Sequence, residues 1–298
     1  MDIVAKYLDP RLASQLATME LRARLIVEGF LTGLHRSPFH GFSAEFSEHR
    51  AYHPGDDLRH LDWKVLGRTD RYYVKQFEEE TNLRAVIAVD HSASMAYASE
   101  GMVSKFTYAT YLAAALAYLA MLQKDAVGLA LYDQSLRTYY PPRARRSYIG
   151  ELLAALDRTQ PSQQTNTAGS LEALAERLHR RSLVIVISDF FDDLEQVATS
   201  LKHFRHDHHE VIAVQVLDRR ELDFRFGIAA TFRDMETGEE MITQPLQVRT
   251  SYATAVEQFI ETLRAHCYAA NIDYVHAITD QPFDRILREY LVRRHRVR

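Results

Sequence analysis

Arg84-Ala85-Val86-Ile87-Ala88-Val89-Asp90-His91-Ser92-Ala93-Ser94-Met95 is the stretch from which the rest of this chain can be read. Its first half is an unbroken apolar run, the mark of a strand buried on both faces in a parallel sheet. Its second half turns abruptly to a carboxylate and two hydroxyls. Downstream, 106–123 reads as a long Ala-, Leu- and Tyr-rich helix, 126–132 as a strand, and 136–140 as its hairpin partner. Helices follow over 147–156 and 170–179, a strand over 183–187, a helix over 194–204 and a strand over 210–217. This alternation predicts an α/β fold: a doubly wound, mostly parallel sheet with helices on both faces, Rossmann-like in its winding. Beyond it, 230–234 and 240–243 flank Thr237-Gly238 as a hairpin, 252–269 is a helix, 272–277 a strand and 282–292 a closing helix.

Upstream the pattern differs. Leu12, Leu16, Met19, Ala23, Ile26, Phe30 and Leu34 recur at helical spacing, with Pro10 near the start and Gly33 near the end. A segment dense in Gly, Pro, Asp and aromatics runs from 35 to 80, and 72–77 alternates like a strand. Residues 1–82 therefore read as an N-terminal helix-plus-β accessory lobe, and 83–298 as the sheet domain, with a boundary near 79–83.

Composition narrows the function classes. Of 298 residues, 47% are hydrophobic and 26% charged, enough for a large core and an accessory lobe. Lys and Arg total 36 against 40 Asp and Glu, a net charge of −4 without the basic excess of a nucleic-acid binder. The local basic clusters, Arg143, Arg145 and Arg146 and the tail from Arg293 to Arg298, read as solvated surface. Cys267 is the only cysteine, so no intrachain disulfide forms, and it reads as a buried structural thiol. Neither a signal peptide nor an apolar stretch of the roughly 18 residues needed to span a bilayer is present, so the expectation is a cytoplasmic protein without a membrane span.

In open α/β sheets ligands bind in the crevice beyond the carboxyl ends of the strands. Asp90, Ser92 and Ser94 fall there, as an all-oxygen cluster of the kind hard cations choose. Two more oxygens are expected from neighbouring segments: a hydroxyl in Gln164-Thr165-Asn166-Thr167, and Asp189 after the strand 183–187. Against this stands a plainer reading, in which a Ser-rich loop after a strand only caps the next helix.

The order Asp-x-Ser-x-Ser, then Thr, then Asp resembles the metal-ion-dependent adhesion site (MIDAS) of von Willebrand factor A domains. The resemblance implies a metal set of Asp90, Ser92, Ser94, Thr165 and Asp189, with Thr167 a rival for Thr165. It implies Mg2+ as the cation, with Mn2+ or Ca2+ as alternatives. That family often has Thr-Asp-Gly at the last position; Ser188-Asp189-Phe190 keeps the Asp and alters the turn after it. A second resemblance is carried by Gly41-Phe42-Ser43-Ala44-Glu45-Phe46, by Arg50-Ala51-Tyr52-His53-Pro54-Gly55-Asp56-Asp57-Leu58-Arg59, and by Leu61-Asp62-Trp63-Lys64 with Arg68-Thr69. These look like the signature of the bacterial family called domain of unknown function 58, which carries a von Willebrand A-like domain. The resemblance implies a partner, a MoxR-type AAA+ ATPase or its client.

The expectation is thus a binding and scaffolding protein, not an enzyme, that grips a partner's carboxylate through the metal. The alternative is a metal-dependent hydrolase of phosphoesterase type, with His91 as the nearby base. Asp56, Asp57 and Asp62 with Arg50, Arg59, Lys64 and Arg68 read as a structural charged network, and Trp63 as a packing anchor. His206-Asp207-His208-His209 cannot turn adjacent side chains onto one ion, and His35, His40, His49 and His53 lack ligand-like pairing. Phosphate-binding loops and nucleophile-elbow motifs are absent.

Overall fold

The computed structural model describes residues 9–35, 50–51, 67, 73–74, 83–161, 164–226 and 230–296. Two helices come first, α1 (Pro10–Ala13) and α2 (Met19–His35), where the apolar period predicted one. Asp9 caps α1 and Pro10 opens it, while the Thr18 hydroxyl accepts from Leu21 N at 3.2 Å to start α2 afresh. The strands β1 (Arg50–Ala51) and β2 (Tyr73–Val74) pair antiparallel, Arg50 opposite Val74. Asp56, Asp57, Asp62, Trp63, the upstream histidines from 40 to 53 and the expected boundary at 79–82 lie outside the described residues.

Strand and helix then alternate: β3 (Arg84–Asp90), α3 (Lys105–Leu122), β4 (Ala126–Tyr132), β5 (Leu136–Arg143), α4 (Tyr148–Arg158) and α5 (Thr167–Ala175). They continue as β6 (Leu183–Ser188), α6 (Leu194–His206), β7 (Glu210–Leu217) and the short α7 (Arg219–Asp223). The chain closes with the hairpin β8 (Ala230–Arg233) and β9 (Glu240–Thr243), then α8 (Pro245–Ala269), β10 (Asp273–Ile278) and α9 (Asp284–Arg296). The strand order is β10-β7-β6-β3-β4-β5, with only β5 antiparallel to its neighbour. The chain runs from β3 outward through β4 to β5, then returns to the other side of β3 as β6. The strand order therefore reverses at β3, and its carboxyl end faces the crevice that this reversal opens.

Side chains alternate along β3 into two cores. Ala85, Ile87 and Val89 pack with α2, α3, α4 and α9; Val86 and Ala88 pack with α5, α6 and α8. The helix α3 is apolar all round because it is covered all round, by the sheet on one side and by α2 on the other. Met19, Ala23, Ile26, Val27 and Phe30 of α2 belong to the same core as Leu112 and Leu116 of α3. The helix expected in an accessory lobe thus shares the core of the sheet domain. Among the described residues no helix is long and apolar enough to cross a membrane.

A candidate metal centre at the carboxyl edge of the sheet

Asp90 ends β3 with its side chain fully buried. One carboxylate oxygen accepts from Ser92 N at 2.9 Å and the other from the Ser188 hydroxyl at 2.6 Å. After Asp90 the chain winds into a 3₁₀ turn, Ala93–Ala96, with Ser92 at its N-cap. The turn brings the Ser92 and Ser94 hydroxyls to 3.1 Å of each other. No hydrogen bond ties the Ser92 side chain to the turn as a cap, so the plain capping role is unfilled. Burial, and then the charge of Asp189, push the Asp90 carboxyl up to about 7.

Asp189 follows β6 and is also buried. Its Oδ1 accepts from Phe191 N at 3.1 Å and its Oδ2 from Lys105 Nζ at 2.8 Å. Its backbone carbonyl accepts from Gln215 Nε2 at 3.0 Å, and the Tyr274 hydroxyl donates to Gln215 Oε1 at 2.5 Å, tying the edges of β6, β7 and β10. Phe190, where the motif that the sequence resembles has glycine, adopts the left-handed conformation with φ 58°. The altered residue thus keeps a turn that glycine would make without strain, while its ring is fully buried in the core under α5 and α6.

The third segment precedes α5. Asn166 caps that helix, its Oδ1 accepting from Gly169 N at 3.0 Å, and a Cβ on Gly169 would press to 2.9 Å of the Asn166 amide. Asn166 N and the Ser170 hydroxyl both donate to Asp133 O, fastening the segment to the end of β4. The two threonines then differ. Thr165 is half-buried, and its N and hydroxyl both donate to the Glu236 carboxylate at the tip of the β8–β9 hairpin. Thr167 is fully buried; its N donates to Asp192 Oδ2 at 2.8 Å and its hydroxyl has no hydrogen-bond partner.

These oxygens fit a hard cation. An orphaned buried hydroxyl and a buried carboxyl that burial and the charge of Asp189 push up are both groups that positive charge at this edge would relieve. Among the described residues no three His, Cys, Asp or Glu converge as metal ligands, so a cation here would depend on hydroxyls. His91 turns instead toward Asp133, with Nδ1 4.0 Å from its Oδ2, and burial lowers the imidazole pKa. His209 of the histidine-rich loop is structural: its Nδ1 accepts from Ser182 N at 3.1 Å. Lys105, Ser188, Glu221 and Glu236 were not singled out in the sequence. A lysine heading an otherwise apolar helix was the one local signal among them.

The protein-family model described as "Protein of unknown function DUF58" matches residues 48–261. The chain belongs to the DUF58 family. An uncharacterized protein of Mycobacterium tuberculosis (strain ATCC 25618 / H37Rv) is 30% identical over 238 residues, which cover 77% of this chain and 73% of the relative. An uncharacterized protein of Mycobacterium bovis gives the same figures. Among solved structures, an aerotolerance-related membrane protein from Bacteroides fragilis is similar to this DUF58 protein with a TM-score of 0.50 at 15% identity, covering 71% of this chain and 99% of that one. It shows a shared fold and no more. The SpRpn10 VWA domain also aligns, with a TM-score of 0.42 at 12% identity over 70% of this chain and 95% of that domain. The six-stranded, mostly parallel sheet with helices on both faces is the doubly wound α/β fold expected from the sequence.

Proposed function

We propose that this DUF58 protein is a metal-dependent protein-interaction module, with the carboxyl edge of its sheet as the gripping surface. Ser92, Ser94 and a threonine hydroxyl would ligate the cation directly, and Asp90 and Asp189 through water. Mg2+ is the first choice, with Mn2+ or Ca2+ as alternatives, because oxygen donors and retained waters suit hard cations. The threonine is Thr167 in this reading, because the Thr165 hydroxyl already donates to Glu236 while that of Thr167 is buried and unpaired. That orphaned hydroxyl, on a segment at the same sheet edge as two buried carboxylates, carries the proposal. When bound, the cation supplies an open coordination position. Neutral hydroxyls leave it positive character, which suits an acidic side chain of a partner protein.

The partner we propose, from family resemblance, is a MoxR-type AAA+ ATPase or its protein client. Pull-down from a native extract with and without EDTA tests this. Capture that needs the cation and is lost with Asp90→Ala supports it; equal capture in EDTA overturns it. A second reading, a metal-dependent phosphoester hydrolase, draws on His91, whose lowered pKa leaves a base free near the same edge. Mg2+-dependent phosphoester turnover that disappears in His91→Ala would favour it.

A further inference from the structure

Lys105 opens α3 directly after its N-cap, Ser104, and is fully buried. Its ammonium donates to Asp189 Oδ2 at 2.8 Å and to Glu221 Oε1 at 2.6 Å, and lies 4.8 Å from the centre of the Phe191 ring. Two effects oppose a cation here: loss of hydration on burial, and the positive end of the helix dipole. Packing alone is served as well by an apolar side chain of similar volume. What an apolar side chain cannot supply is a fixed positive charge against a carboxylate of the candidate metal centre. The ammonium is also locked in place. Glu221 Oε2 accepts from Asp218 N at 2.8 Å, and Asp218 in turn accepts from Ser99 N at 3.0 Å and from the Thr279 hydroxyl at 3.2 Å.

We infer that Lys105 is a positioning residue that sets the charge of the metal centre, an inference that rests on the metal reading proposed above. By holding Asp189 Oδ2, it keeps that carboxylate from direct ligation. By offsetting one of the two carboxylate charges, it leaves a divalent cation beside Asp90 and Asp189 with a net positive charge to offer an acidic ligand. Without the lysine those two carboxylates would neutralise the cation, and a partner's acid would meet no net attraction. Glu221 meets the centre through the lysine, and its negative charge partly offsets that of the ammonium from the far side.

The test compares wild type with Lys105→Met combined with Glu221→Gln, and with Glu221→Gln alone. Mn2+ affinity is read by calorimetry, and glutarate affinity at saturating Mn2+ by relaxation of Mn2+-bound water. The double variant removes one positive and one negative charge, the positive one directly against Asp189. The nearer charge dominates, so Mn2+ is expected to bind about threefold or more tighter and glutarate weaker by a similar factor. Glu221→Gln alone keeps the ammonium and shifts both the other way, to weaker Mn2+ and tighter glutarate. A merely structural role would weaken both ligands together in both variants. Affinities unchanged, or falling together, overturn the inference while leaving the metal reading intact. Absence of Mn2+ uptake by wild type removes both. If circular dichroism shows the double variant unfolded, the direction of the Glu221→Gln shift decides.

Discussion

Phe190 holds a left-handed backbone with a fully buried ring, two features that pull in opposite directions. Phe190→Gly relieves roughly 1–2 kcal/mol of backbone strain but removes a core aromatic, a loss on the order of 3–5 kcal/mol. The variant is therefore expected to be less stable by about 2 kcal/mol in urea unfolding, the difference of those two terms; a gain in stability would contradict this. The threonines give a sharper contrast. Thr167→Val replaces an unsatisfied buried hydroxyl by a methyl of the same shape, so the metal-free protein should be equally or more stable, by up to about 1 kcal/mol. The same change should weaken cation binding at least about tenfold if a direct ligand is lost, whereas Thr165→Ala should leave it nearly unchanged. The reverse pattern in a Mn2+ titration would restore Thr165 as the ligand. Asp90, Ser92 and Ser94 were legible in the sequence because their spacing is local. Choosing between the threonines was not, because it depends on Glu236, 71 positions away along the chain.

Among the elements, α2 is the one whose place in the core is least evident from its position in the chain. Phe30 is 2% exposed within the core that α2 shares with α3. Phe30→Ala should therefore cost roughly 3–5 kcal/mol in global unfolding, as for a core aromatic; a change under about 1 kcal/mol would mean that α2 is detachable. On β10, burial and the nearby charges of Arg264, Arg285 and Arg219 lower His276 from its ordinary 6.5 to about 4. A lowered folded-state pKa means the unfolded chain binds the proton more readily. The stability that neutral His276 contributes is present above pH 6.5 and is lost as pH falls toward about 4. His276→Gln should therefore lose less stability than wild type between pH 7 and 5 in urea midpoints; identical losses would contradict the assignment. The central strands were legible as continuous apolar runs because both of their faces are covered. The break between α1 and α2 was not, since the apolar period runs straight across it and only Thr18 restarts the helix. The early start of α8 was hidden for a related reason: Pro245 opens it, but its first turn is largely exposed and carries no apolar stripe.

At the scale of the whole molecule, strand order decides where chemistry can occur. The chain reverses at β3, and three segments that are distant in sequence meet beyond its carboxyl end: the Asp90 loop, the cap of α5 and the turn after β6. Doubly wound topology was readable from alternation alone, and that topology places all three segments on one edge of the sheet. The lysine was not readable, because its partners Asp189 and Glu221 lie 84 and 116 positions away. The central claim is that this edge holds a divalent cation. Calorimetric titration of the purified protein with Mg2+, beside Asp90→Ala at the same concentration, tests it most directly. The account predicts saturable uptake of one ion per chain by wild type and none by the variant, with the variant still folded by circular dichroism. Absence of uptake by folded wild type, or equal uptake by the two proteins, would contradict it.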